Sequence, residues 1–208
     1  MMTRQEKADQ VKNFLDDRFG LVDCFLKHKT DQEFLIAVIL SAQSNDKSVN
    51  KVTPILFDKY KDLAALSKAN VDDVISIIKP VGLAKTKASH IIEASKIIVD
   101  KYDGQIPKDR EVLMTLPGVG FKTSGVVLGE LYNFPYLPVD THVERVSKFL
   151  GLVDKDLRPE QIELKLEKLF KNSCLINTHR QLIMLGRTIL TAKNPKLDEL
   201  PFSWIKKS

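Results

Sequence analysis

The stretch Leu116-Pro-Gly-Val-Gly-Phe-Lys-Thr123 is a short, glycine-containing turn between two segments of helical periodicity. Gly118 and Gly120 permit backbone angles that other residues avoid, and they enclose the apolar Val119. Such a turn exposes backbone N–H groups beside the N-terminus of the following helix, where a phosphate binds. Backbone amides do not distinguish bases, so this contact would be independent of nucleotide sequence. The alternative is a helix-to-helix connection that binds nothing.

Helical periodicity extends over most of the chain, because apolar residues recur at spacings of three and four. The pattern predicts an all-α fold. Predicted helices cover 4–19, 32–44, 47–59, 71–78, 86–101, 108–116, 121–131, 141–150, 159–169 and 179–190. Pro54 lies inside the third of these, where it should remove a hydrogen bond and bend or divide the helix.

Composition and charge narrow the classes of function. The chain has 208 residues, of which 43% are apolar and 28% charged, as in folded globular proteins. The apolar run 34–40 is shorter than the ~18–20 residues that a membrane span needs. The N-terminus has no apolar signal region, so we expect a cytoplasmic location without disulfides. The net charge of +5 favours a polyanionic partner.

Cysteine and histidine, which commonly ligate metals, are sparse in this chain. The two cysteines, Cys24 and Cys174, are far apart in the sequence, and the four histidines are scattered singly. We therefore expect neither a zinc or iron–sulfur site built from cysteine nor a histidine-rich metal site.

Several segments together resemble one family of DNA repair enzymes. The turn at 116–123 and the later stretch Pro138-Val-Asp-Thr-His-Val-Glu-Arg-Val146 are similar to the helix–hairpin–helix and Gly/Pro-Asp signature of base-excision DNA glycosylases. The closer resemblance is to the endonuclease III family. Three further segments match that family in order, and they cover 39–46, 81–88 and 184–187.

The resemblance implies a fold and an activity. The implied fold is all-α, with a six-helix barrel domain over 24–134 and a second helical domain made from 1–23 and 135–208. The implied enzyme is a monomeric, bifunctional DNA glycosylase and AP lyase of base excision repair. It would remove oxidised pyrimidines from double-stranded DNA that contains damaged bases or abasic sites, with no membrane partner.

The resemblance also assigns the two catalytic positions. Lys122 matches the nucleophilic lysine that attacks C1′ of the damaged nucleotide and forms a Schiff base, after which β-elimination cleaves the strand. A position in the first turn of a helix favours the neutral amine that this reaction needs. Asp140 matches the essential aspartate that stabilises positive charge on the sugar. The alternatives are a solvated lysine at 122 and a helix cap at Asp140 or Thr141, the latter with Glu144 completing a capping box.

The remaining assigned positions concern DNA contact and lesion recognition. Gln43 matches the residue that fills the space opposite the orphan base, and Leu83 matches the wedge from the other strand. Asp46 matches a position that lines the lesion pocket. Alternatively, Gln43 is a polar residue at a helix C-terminus, Leu83 is an ordinary core leucine, and Asp46 caps the next helix.

Phosphate contacts are expected from two sources. The first is the hairpin, through Gly118, Val119 and Gly120. The second is a set of lysines, for each of which a solvated charge is the alternative. These lysines are Lys85 and Lys87, with Lys51 and Lys193 as further candidates.

The C-terminal segment departs from the family pattern. Most endonuclease III relatives carry four cysteines there, and they ligate a [4Fe–4S] cluster. At the same spacings this chain has Leu190, Leu197, Leu200 and Lys206, none of which ligates iron. We therefore expect the cluster to be absent. Its place is predicted to be taken by buried apolar residues, with contributions from Phe202 and Trp204.

Two other functional classes remain open at this point. The sequence is also compatible with a non-catalytic helix–hairpin–helix protein that binds DNA phosphates. The presence of both Lys122 and Asp140 at family spacing argues against this alternative. A small all-α interaction protein would leave the clustered motif matches unexplained.

Overall fold

The computed structural model describes residues 2–205, and within them it contains helices and no strands. The predicted all-α fold class is therefore confirmed. The α-helices are α1 (Arg4–Phe19), α2 (Asp31–Ser41), α3 (Asp46–Lys59), α4 (Leu63–Leu66), α5 (Val71–Ile78), α6 (Ala84–Tyr102), α7 (Arg110–Met114), α8 (Phe121–Tyr132), α9 (Thr141–Phe149), α10 (Pro159–Leu169) and α11 (Leu175–Thr188). Two 3₁₀ helices cover Lys79–Val81 and Leu197–Glu199. Across 2–205, no helix has both the length and the apolar character needed to cross a bilayer.

The chain forms two compact units. The central unit is Cys24–Tyr132, and the terminal unit combines the chain up to Asp23 with the chain from Asn133 onward. The central unit contains α2 to α8, and the terminal unit contains α1 and α9 to α11.

The central unit is built around α2. Every residue from Phe34 to Leu40 is buried, so this helix is apolar on all sides, as expected for a helix at the centre of a core. It packs against α3, α6 and α8. Thr30 begins the helix by accepting a hydrogen bond from the Glu33 N–H group at 3.2 Å. The buried helix supports the hairpin that precedes α8.

The terminal unit is held together by α11, which packs against α1 and α9. The buried Gln181 side chain on α11 donates hydrogen bonds to the Gly20 carbonyl at 2.7 Å and the Leu15 carbonyl at 3.3 Å. Gly20 is the C-cap of α1, so its carbonyl lies beyond the hydrogen bonds of that helix and is satisfied by Gln181 instead. The N-terminal helix is thereby fixed to the C-terminal part of the chain.

The structure corrects several predicted helix boundaries. Helix α2 ends at Ser41 rather than at residue 44, because Ala42 leaves the helical conformation with ψ 119° and Gln43 has a left-handed φ of 53°. Pro54 does not divide α3, whose apolar face buries Val49 and Leu56 on both sides of it. Packing of that face stabilises the helix despite the missing hydrogen bond. Helix α4 was not predicted, and α11 begins four residues before the predicted start at 179.

Candidate functional site

The glycine turn before α8 is held tightly against the central unit. Gly118 has φ +80°, and a Cβ atom there would lie 2.8 Å from Cγ2 of Ile39 and 3.1 Å from Nδ1 of His90. Both the backbone angle and the space therefore require glycine. The Val119 N–H group donates to the Leu116 carbonyl at 3.1 Å, which closes the turn, and the Val119 side chain is buried.

The hairpin presents backbone N–H groups in the way that the sequence predicts. Gly120 is exposed, and a Cβ atom there would meet nothing within 4 Å. The N–H groups of Gly118 and Gly120 donate no hydrogen bond to any residue in the described range 2–205. Together with the start of α8, these donors form a position suited to an anionic oxygen.

Lys122 lies in the first turn of α8 and is half-buried. Within the part of the chain that the structure describes, its Nζ atom forms no ion pair and no hydrogen bond. An amine without an internal partner is free to meet a substrate.

Arg110 is a residue near this site that the sequence reasoning missed. Its Nη2 atom donates to the Phe121 carbonyl at 2.9 Å, and its Nε atom donates to Oγ of Ser124 at 3.3 Å. The guanidinium also lies 3.6 Å from the centre of the Phe121 ring. Arg110 thus fixes the first turn of α8 and brings a positive charge next to it, and no spacing pattern in the sequence signals this role.

Asp140 is the N-cap of α9 in the terminal unit. Its Oδ1 atom accepts hydrogen bonds from the His142 N–H group at 2.9 Å and the Val143 N–H group at 2.8 Å. Of the two capping alternatives, Asp140 rather than Thr141 is therefore the cap, and Glu144 pairs with Lys148 instead of completing a box. Among residues 2–205 nothing donates to Oδ2 of Asp140, so one oxygen anchors the carboxylate and the other remains available.

Helix α9, which Asp140 caps, is held to α11 by hydrogen bonds. Nη2 of Arg145 donates to the carbonyl groups of Gly186 at 2.8 Å and Leu190 at 3.1 Å. A Cβ atom at Gly186 would lie 3.0 Å from Cβ of His142, so glycine permits the close approach of α9 and α11. The position of Asp140 therefore depends on packing between two helices that are distant in the sequence.

Gln43 and Leu83 lie at the tips of two exposed loops of the central unit, the Gln43 loop (42–45) and the Leu83 loop (81–83). Both residues have left-handed backbone angles, with φ values of 53° and 48°. Gln43 is exposed, and 59% of the Leu83 surface is open to solvent, so the core alternative for Leu83 is wrong. A non-glycine residue in this conformation is strained by about 1–2 kcal/mol, and strain of this kind is concentrated at functional sites.

Lys87 is placed differently from the phosphate contact that was predicted. Its side chain is only 4% exposed, and Nζ donates to Oγ of Ser44 at 2.8 Å and to the Val81 carbonyl at 3.1 Å. The side chain is therefore buried in the central unit, and both of its acceptors belong to the two exposed loops. In contrast, Lys85 is exposed on the first turn of α6.

The other predicted contacts lie at the surface of their own units. Lys51 on α3 and Lys193 after α11 are both exposed. Asp46 is the first residue of α3 and is half-buried, whereas the cap of that helix is Asn45, whose side chain accepts from the Ser48 N–H group at 2.8 Å. The capping alternative for Asp46 is therefore wrong.

The C-terminal segment contains apolar side chains at the positions where the family carries cluster ligands. Leu190 and Leu200 are buried and Leu197 is half-buried, while Lys206 lies outside the described residues. Hydrocarbon side chains offer no electron pair to iron, so the residues present do not fit a [4Fe–4S] cluster. Across 2–205, no group of three or more histidine, cysteine or acidic residues is arranged to hold a metal ion.

Several of the predicted residues belong to the central unit. The hairpin, Lys122 and the two exposed loops all belong to it, as does the buried Lys87 that links the loops. Asp140 belongs to the terminal unit, where it is held by α9 and α11. The residues that sequence reasoning missed are Arg110, Arg145 and Ser44.

Comparison with known proteins identifies relatives over most of the chain. Residues 36–172 match the model of the HhH-GPD superfamily base excision DNA repair proteins. The endonuclease III of Bacillus subtilis (strain 168) is 40% identical over 196 residues, which cover 92% of this chain and 89% of that protein. The endonuclease III of Escherichia coli (strain K12) is 39% identical over 164 residues, which cover 79% and 77% of the two chains.

Solved structures show the same similarity. The chain superimposes with a TM-score of 0.91 and 37% identity on the protein in a non-covalent endonuclease III–DNA complex, covering 97% of this chain and 94% of that one. A thermostable thymine-DNA glycosylase has the same fold at a TM-score of 0.82 and 20% identity, with coverage of 94% and 91%.

Proposed function

Since the chain belongs to the endonuclease III family of the HhH-GPD superfamily of base excision DNA repair proteins, we propose that it is a bifunctional DNA glycosylase and AP lyase. Its substrate is double-stranded DNA that contains an oxidised pyrimidine or an abasic site, and it acts in the cytoplasm as a monomer. The observation that carries the proposal is the unpaired Lys122 amine in the first turn of α8, directly after a hairpin with free N–H groups.

Lys122 is the proposed nucleophile. Its Nζ atom forms a bond to C1′ while the bond from C1′ to the base breaks, and the base leaves with the electron pair of that bond. The bond between C1′ and O4′ then breaks, O4′ takes up a proton and nitrogen loses one, and the C1′=N bond that results is a Schiff base. Removal of a C2′ proton then breaks the bond from C3′ to oxygen, which cleaves the strand. The hairpin N–H groups hold a backbone phosphate during these steps.

Asp140 is the proposed electrostatic partner of this reaction. Positive charge develops on the sugar as the base leaves, and a fixed carboxylate stabilises that charge in the transition state. The two N–H groups that bind Oδ1 hold the carboxylate without reorganisation. A capping aspartate is thus also suited to catalysis, so the two interpretations of Asp140 are compatible.

The exposed loops are proposed to replace the extruded nucleotide. Unstacking a base costs a few kcal/mol, and side chains that fill the vacancy offset part of that cost. Gln43 would occupy the space opposite the orphan base, and the exposed Leu83 would enter the stack. Asp46 and Lys85 would contact the lesion and a phosphate, respectively.

We also propose that the protein works without an iron–sulfur cluster. The leucines at 190, 197 and 200 provide no ligand, and burial of Leu200 and Phe202 stabilises the segment that a cluster shapes in relatives. Iron and acid-labile sulfide in the purified protein should each lie well below one atom per chain. Stoichiometric iron that resists chelation would contradict this proposal.

Borohydride trapping tests the proposed enzyme directly. Wild-type protein on a duplex with one thymine glycol should form a covalent adduct, because borohydride reduces the Schiff base to a stable amine. Lys122→Gln should abolish the adduct. Asp140→Asn should slow base release by about 10²–10³-fold with little change in stability, since asparagine caps a helix as well as aspartate does.

Lys96→Gln is the matched control, because Lys96 is exposed on α6 and has no proposed role. Equal adduct yield from wild type and Lys122→Gln would exclude this lysine as the nucleophile. Binding to the duplex without base release, nicking or an adduct would instead favour a non-catalytic DNA-binding protein.

A further inference from the structure

Lys87 is a buried lysine that the proposed chemistry does not use. Its side chain is 4% exposed, and within residues 2–205 it forms no ion pair with a carboxylate. Burial lowers the pKa of its amine below the ordinary value, because the charged form loses its hydration. A methionine of similar size would fill the same space without this penalty, so the amine is expected to have a specific role.

The amine connects two loops that are far apart in the sequence. Nζ of Lys87 donates to Oγ of Ser44 at 2.8 Å and to the carbonyl oxygen of Val81 at 3.1 Å. The Ser44 hydroxyl in turn donates to the same Val81 carbonyl. The Lys87 backbone N–H group also donates to the Leu83 carbonyl at 3.0 Å. The backbone bond belongs to the first turn of α6, whereas the side-chain amine holds the Leu83 loop at Val81 and the Gln43 loop at Ser44.

Both loops that meet at Lys87 have a strained, exposed tip. Gln43 immediately precedes Ser44, and Leu83 lies two residues after Val81. Left-handed angles at non-glycine residues persist only where the surrounding structure enforces them. Hydrogen bonds beneath both tips supply that constraint, whereas the tips themselves face solvent.

We propose that Lys87 is a positioning residue that joins the Gln43 loop to the Leu83 loop, so that both side chains enter the DNA as one preformed unit. This inference rests on the proposed function, since it concerns how the same site extrudes a base. Without the link, each loop would have to become ordered separately on the DNA. The free-energy cost of ordering the loops would then slow extrusion of the base rather than formation of the Schiff base.

The test compares substrates that do and do not require unstacking of a base. Single-turnover base release is measured on a duplex with thymine glycol paired to adenine, and borohydride trapping is measured on a duplex with a preformed abasic site. Lys87→Met should slow base release at least about tenfold and change trapping by less than about twofold. Ser44→Ala removes the hydroxyl that Lys87 binds and keeps the lysine, so it should show the same pattern, and it replaces Lys87→Met as the test variant where that protein does not fold. Lys96→Met on the same helix should change neither rate.

A double-mutant cycle separates positioning from a general effect on stability. Gln43→Ala and Leu83→Ala are combined in the wild-type and Lys87→Met backgrounds, and base release is measured in each. Two side chains that enter as one unit should be coupled in the wild type, and this coupling should disappear when Lys87 is methionine.

Unchanged coupling in the Lys87→Met background, or equal loss of base release and trapping, would overturn the positioning role. Failure of the proposed function is distinguishable, because wild-type protein would then form no adduct on the abasic duplex.

Discussion

The Leu83 loop and the C-terminal segment use the same type of residue in opposite ways. In the loop, Leu83 is 59% exposed at a left-handed backbone position. In the C-terminal segment, Leu200 is 1% exposed and Phe202 is 2% exposed. The loop keeps an apolar side chain in water at a cost in free energy, whereas the segment gains stability by burying it.

The two regions also differ in what holds them. The Leu83 loop is held by hydrogen bonds to Lys87, which leave its tip uncovered. The C-terminal segment is held by ring packing, with Phe202 lying 5.4 Å from Phe14 edge-to-face and 4.8 Å from Trp204 in a stack. An exposed apolar side chain on a loop that is held by hydrogen bonds is typical of a binding surface, whereas packed aromatic rings are typical of a core. Residue type alone therefore does not distinguish the two roles.

The largest expected effect concerns the C-terminal segment. Phe202→Ala should lower the free energy of unfolding by about 3–5 kcal/mol, because it leaves a cavity between Phe14 and Trp204. Denaturant unfolding of the purified variant measures this loss. Phe149→Ala is the matched control, since Phe149 is 43% exposed and should lose about half as much or less. Equal losses in the two variants would mean that the segment does not pack as a core.

A smaller effect of opposite sign is expected at the loop. Leu83→Gly relieves about 1–2 kcal/mol of backbone strain in the folded protein. It also raises the backbone entropy of the unfolded chain, which lowers stability by about 0.5–1 kcal/mol. Stability should therefore stay constant or rise by up to about 1.5 kcal/mol. At the same time, base release from the paired lesion should slow, because the wedge is missing. Loss of stability on this substitution would show that Leu83 contributes to the core and would remove the contrast between the regions.

The sequence predicted those features that depend on neighbouring residues. Helices α1, α5 and α10 begin and end at the predicted residues, since their caps and apolar spacing are local. Prediction failed where distant contacts decide the structure. The end of α2 moved to Ser41 because residues 42–45 form a loop whose Ser44 is bound from α6.

The same distinction between local and distant contacts applies to the site residues. The glycine turn and the position of Lys122 after it are visible in eight consecutive residues of the chain. The exposure of Leu83 and the burial of Lys87 are not visible there, because neither depends on the residues beside it. Arg110 and Arg145 were missed for this reason, as each binds carbonyl groups of another helix.

By itself, the sequence determined the all-α fold class, the hairpin and the absence of cysteine ligands in the C-terminal segment, because periodicity, glycine positions and residue chemistry are properties of the chain. Only the tertiary structure decided which leucine is exposed, which lysine is buried and which oxygen of Asp140 remains available. Those properties arise when segments as distant as Ser44, Val81 and Lys87 share one set of hydrogen bonds, and no local pattern records such contacts.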